Sequence, residues 1–118
     1  MLYILLIMIP DFFKELNIAV TVSDVEGNVL WMNDKSQVVN KGDYTGQNLL
    51  NCHPEPARTK VVELLQNHNT NVYTIEKGEV KKLIYQTPWF NGGEFAGYVE
   101  LSIEIPFEMP HYVRKPKP

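Results

Sequence analysis

Two turn signals, DVEG at residues 24–27 and NGG at 91–93, each interrupt residues that alternate between apolar and polar, and no other feature limits the possible folds so strongly. Ile18–Ser23 runs with a period of two into the first turn, and NVLWM at 28–32 resumes the extended pattern beyond it. Gly27 supplies the positive φ that a tight hairpin needs, so an antiparallel pair is expected here. Further strands are expected at 71–76, 81–90 and 96–105, the last two joined through NGG. In the final strand Val99, Leu101 and Ile103 alternate with Tyr98, Glu100 and Ser102, which turns one set inward and the other toward water or a partner. The face holding Glu100 and Glu104 is expected to be the solvated one. In the first hairpin, alternation groups Leu30 with Met32 and Val29 with Trp31, and leaves open which set meets the core.

Helical signals lie between these strands. Asp11–Leu16 suggests a short helix with Asp11 as its cap. Residues 33–51 are polar, broken by Gly42 and Gly46, and read as short helical turns and loops. Pro54 and Pro56 push His53 and Glu55 out of the α region and suit a helix start. The helix itself, at 56–68, carries Ala57, Val61, Leu64 and Leu65 at amphipathic spacing. Two strands, short helices, one longer helix and three strands predict an α+β fold, with helices packed on one face of a five-stranded antiparallel sheet. The 118 residues fit one domain. It is expected at 11–105, between an apolar N-terminal segment at 1–10 and an extended tail at 106–118.

Charge and composition exclude several functions. Eleven basic and 14 acidic residues are scattered without a basic stripe, which argues against a nucleic-acid partner. MLYILLIMI stops at Pro10, well short of the roughly 20 residues that span a bilayer, and lacks the basic flank of a signal peptide. It is expected to dock on the domain or on a second copy, with a membrane-surface anchor as the alternative. The single cysteine forms no internal disulfide, which fits a reducing compartment, and the cytoplasm is the expected location. No phosphate loop, Ser-His-Asp order or metalloprotease motif is present, so catalysis is not expected.

The stretch LLNCHPEP places that cysteine, Cys52, beside His53. Zinc requires three or four ligands, and neighbouring side chains in an extended segment point to opposite sides, so these two do not make a zinc site. Haem asks for less, since one axial ligand suffices, and His53 or His68 could supply it. Alternatively, Cys52 is a small buried residue and His53 with Pro54 fixes the approach to the helix.

Taken together, three stretches resemble the PAS sensor domains over about residues 12–105. IAVTVSDVEGNVLWMND resembles that family's opening hairpin, ending in Asn33. TGQNLLNCHPEP resembles the approach to its long helix, in the subset with a Cys-His-Pro element, and TPWFNGGEFAGYVELSIEI its closing hairpin. The resemblance implies a non-catalytic module that senses a small molecule in a pocket between sheet and helices, pairs as a homodimer, and passes its signal to another protein. Candidate pocket residues are Met32, Asn33, Cys52, His53, Leu65, Tyr85 and Trp89, with Trp31, Tyr73 and Gln86 as further possibilities. The cofactor is unknown; haem on His53 is one alternative, and a ligand-free interaction module another.

Overall fold

The computed structural model describes residues 11–117. The expected docking of MLYILLIMI falls on residues outside that range. Asp11–Phe13 forms a 3-10 turn closed by Lys14 N donating to Asp11 O, in place of the helix expected through Leu16. Six residues with a polar break behind them are too few to repay helix nucleation.

Strand β1 (Ala19–Ser23) turns through Asp24–Gly27 into β2 (Val29–Met32). Helix α1 (Asp34–Asn40), the single turn α2 (Leu49–Cys52) and helix α3 (Ala57–Asn67) follow. Strands β3 (Asn71–Lys77), β4 (Val80–Asn91) and β5 (Glu94–Ile105) complete a five-stranded antiparallel sheet in the order β2-β1-β5-β4-β3. The first strand thus pairs with the last, and the helices cover one face, as the α+β reading requires. Residues 106–117 form no helix or strand.

The first turn is built by its own side chains. Asp24 accepts from the backbone N–H groups of Glu26 and Asn28, each at 2.9 Å, while Gly27 takes φ +86°. A second glycine answers a steric demand: a Cβ on Gly97 would lie 1.9 Å from the Ser23 carbonyl oxygen. Only a bare backbone lets β5 pass that close.

Register decides which residues face the helices. Thr21 pairs with Met32 and Val22 with Trp31, but Ser23 pairs with Val29, so Leu30 is an extra residue in the ladder. This bulge puts Val29 and Met32 on the same inner face, both at most 5% exposed, and breaks the alternation expected from the sequence. Strand β5 reverses a second expectation. Its inward set is Tyr98, Glu100 and Ser102, aligned with Thr21 and Ala19 of β1, whereas Val99, Leu101 and Ile103 share the outer face with Val20 and Val22. Glu100 is consequently half-buried beneath the helices, and Glu104 near the strand end is exposed.

The inner layer is held by Ala19, Val29, Met32, Leu64, Ile84 and Tyr98, all buried. Burial of a side chain such as Leu64 contributes about 2 kcal/mol. Tyr98 adds a polar fastening, its hydroxyl lying 2.7 Å from Leu64 O and 2.8 Å from Asn69 O at the end of α3.

Candidate functional site

One register row runs across all five strands on the inner face: Asn71, Gln86, Glu100, Thr21 and Met32. Three of its polar members, Asn71, Gln86 and Glu100, are joined in a fixed sense. An ionised carboxylate only accepts, so Gln86 must turn its amide NH2 to Glu100 (Nε2 to Oε1, 2.8 Å). Its own carbonyl oxygen is then left to accept from Asn71 Nδ2, also at 2.8 Å.

Above the row sits His53, placed by a short chain of caps. Asn48 caps α2 through Leu50 N, and its amide also reaches Glu26 O and Asn28 Oδ1 in the β1–β2 turn. Leu49 N donates to Gly27 O at 2.8 Å, tying the LLNCHP stretch to that turn. His53 follows in extended conformation, and its Nδ1 lies 2.8 Å from Leu49 O. A carbonyl oxygen cannot donate, so Nδ1 carries the proton; in the neutral ring Nε2 is then a lone-pair acceptor.

Four cavities open around these groups, and His53 and Glu100 line every one of them. One, of about 230 Å³, lies by Val29, Met32 and Tyr44. A second, of about 200 Å³, lies by Ser36, Asn40 and Ile84. The third, of about 360 Å³, lies under the start of α3, by Ala57, Val61 and Tyr73. The fourth is a narrower space between Leu64, Leu65 and Tyr98. Burial raises the pKa of the Tyr73 hydroxyl, and the negative charge of Glu100 raises it further.

The candidate residues separate cleanly. Met32, His53, Leu65, Tyr73 and Gln86 line the cavities. Tyr85 and Trp89 do not: they pair with Leu101 and Gly97, on the face away from the helices, and Trp31 opposite Val22 faces the same way. Trp89 donates its indole N–H to Ser23 O at 2.9 Å. Asn33 is completely buried, yet it is bound to backbone on both sides of its amide. Its Oδ1 accepts from Val20 N and Ser36 N, while Nδ2 donates to Phe13 O and Ile18 O. Cys52 ends α2, and its side chain lies outside what the structure describes. His68 ends α3 in left-handed conformation and stacks on Phe95, ring centroids 3.6 Å apart, away from the cavities. No group of three or more His, Cys, Asp or Glu side chains placed to hold a metal ion occurs among the described residues.

No family model matches the sequence, and no curated protein does. Solved structures are similar in shape. The PAS domain of BvgS from Bordetella pertussis superposes with a TM-score of 0.60 at 19% identity, covering 79% of this chain and 80% of that one. The PAS domain of histidine kinase ThkA gives 0.61 at 14% identity, covering 75% and 99%. The fold is that of a PAS domain. A C-terminal domain from Streptococcus mutans has the same arrangement, with a TM-score of 0.65, 19% identity and 79% coverage of each chain. In this PAS fold the polar row and His53 lie between the sheet and the helices, and no helix among the described residues is long and apolar enough to cross a membrane.

Proposed function

We propose that residues 11–105 form a non-catalytic, cytoplasmic sensor module that holds a small ligand between sheet and helices and signals to another protein as a homodimer. The observation that carries this reading is the convergence of four cavities on His53 and Glu100, whose hydrogen-bonding capacity is only partly used among the described residues. Concave space with a few placed polar groups is the usual form of a small-molecule site. Native mass spectrometry of the protein as purified, with and without the His53→Ala change, tests it. A reproducible extra mass that the variant loses supports the sensor. A clean apoprotein whose melting temperature no added metabolite raises favours the ligand-free interaction module, since a ligand bound to the native state must stabilise it by mass action.

Pairing is supported by the outer sheet face. Val72, Tyr85 and Leu101 form one apolar row there, with Val72 and Tyr85 at 47% and 38% exposure, beside Trp31, Val22 and Val99; Val20, at the end of the row, is itself buried. An apolar surface of this kind is costly to leave in water. Tyr85→Glu is expected to give a folded monomer, which light scattering would detect; an unchanged dimer would move the contact elsewhere.

Haem has one observation in its favour, because metal-binding histidines commonly donate their second ring nitrogen to a carbonyl, as His53 does to Leu49. The walls fit a porphyrin poorly. Glu100 and Gln86 stand where a broad apolar slot would be needed, and a buried charge without a partner is expensive. A Soret band lost in His53→Ala would nevertheless decide for haem.

A further inference from the structure

Hydrogen-bond accounting around the cavities gives the chemical class of the ligand, an inference that rests on the small-molecule reading above. The two residues common to all four cavities both present acceptors. His53 has committed Nδ1–H to Leu49 O and, in its neutral form, keeps the Nε2 lone pair. Glu100 receives a single side-chain hydrogen bond, from Gln86 to Oε1, and Oε2 takes none among the described residues. The neighbouring N–H donors are largely spent, Gln86 on Glu100 and Asn40 Nδ2 on Ser36, and the Tyr98 hydroxyl lies between two carbonyls. The Tyr44 and Tyr73 hydroxyls, each lining one cavity, are donors left over among the described residues. Two ammonium groups occur in the walls, but Lys82 and Lys60 line one cavity each, and Lys60 lies 3.8 Å from Glu63. An anion placed between His53 and Glu100 would meet a carboxylate of its own sign and too few free N–H groups to replace its water.

The geometry points to a small ligand with N–H donors and positive charge, such as an amine, amidine or guanidine, bound with its nitrogen against the Glu100 carboxylate and within reach of His53. Charge-assisted N–H···O⁻ bonds of this type are the strong ones in a partly dehydrated site. The apolar wall formed by Val61, Leu64 and Leu65 would cover the remainder of such a molecule.

Three probes of nearly identical outline separate charge from shape: benzamidinium, benzamide and benzoate. Each is titrated into the wild-type protein and into Glu100→Gln, with binding read from amide chemical shifts and from the melting temperature. Benzamidinium is expected to bind about tenfold tighter than benzoate or better, the worth of one charged hydrogen bond, and Glu100→Gln is expected to remove that preference. The wild-type ranking needs no variant, so it stands even should Glu100→Gln fold poorly. Benzoate binding as well as benzamidinium would overturn the donor requirement, and neutral benzamide binding as well would overturn the charge requirement, each leaving a small-molecule site in place. A preference for benzamidinium that survives Glu100→Gln would overturn the role of Glu100. Failure of all three probes to bind the folded wild-type protein would overturn the small-molecule reading itself, and this inference with it.

Discussion

Asn33 and the His53–Glu100 pair are both polar centres beneath the helices, but they differ in how far the protein satisfies them. Asn33 has no exposure, and both ends of its amide are occupied, two bonds accepted by the oxygen and two donated by the nitrogen. Among the described residues the side chains of His53 and Glu100 each hold one hydrogen bond and border open space. A group with its capacity filled stabilises the fold and has nothing left to offer a ligand. A group with capacity to spare is still partly paid in water, and a ligand can displace that water without breaking the structure. Burial alone does not distinguish the two; the inventory of remaining lone pairs does.

The sharpest test of this contrast is Asn33→Ala. It removes the cap of α1 and leaves the N–H groups of Val20 and Ser36 and the carbonyls of Phe13 and Ile18 without their partner. A loss of roughly 3 kcal/mol or more in urea unfolding is expected. A loss below about 1 kcal/mol would mean that these backbone groups find water instead, and the contrast with the cavity would disappear.

Tyr98→Phe should have a smaller effect of the same kind, about 1–2 kcal/mol, since it removes one hydroxyl from the carbonyls of Leu64 and Asn69. This residue also makes a pH prediction. Burial raises the folded-state pKa of Tyr98, so as pH rises through about 10 the unfolded chain releases the phenolic proton first. Its contribution is therefore complete below that pH and is lost above it. Stability measured from pH 9 upward should fall, and Tyr98→Phe should flatten part of that fall; the remainder is shared by Tyr73 and by Lys14, bonded to Asp34, whose pKa values are raised too. An identical alkaline slope in both proteins would show that the Tyr98 hydroxyl is solvated.

Much of the fold was legible because its signals are local. The Asp24–Gly27 and Asn91–Gly93 turns carry their φ requirement in their own residues, and α3 carries its amphipathic stripe. The candidate site was legible only in part. Alternation along β5 separates Tyr98, Glu100 and Ser102 from Val99, Leu101 and Ile103 but has no sign. The apolar set seemed the natural inner one, and the sheet turns it outward. Leu30 is likewise invisible as a bulge until β1 supplies the register. Tyr85 and Trp89 were grouped with Met32 by their chemistry, whereas strand parity sends them to the opposite face. One signal was available. Asn71, Gln86 and Glu100 stand 15 and 14 residues apart, one on each of three successive strands, a spacing that antiparallel hairpins of this length bring into one row.

The smallest expected effect lies at the site itself. His53→Ala removes one hydrogen bond to Leu49 O and packing from a half-buried ring that already borders open space, so little new cavity is created. Asn48 still caps α2, and Leu49 N still reaches Gly27 O, so the stretch before α3 keeps its anchors. The cost in the ligand-free protein is expected to be about 1 kcal/mol or less, well under that of Asn33→Ala. Urea unfolding of both variants in parallel measures the ratio directly. Equal losses would make His53 a structural residue like Asn33, and the cavities around it would then be packing gaps with no claim to a ligand.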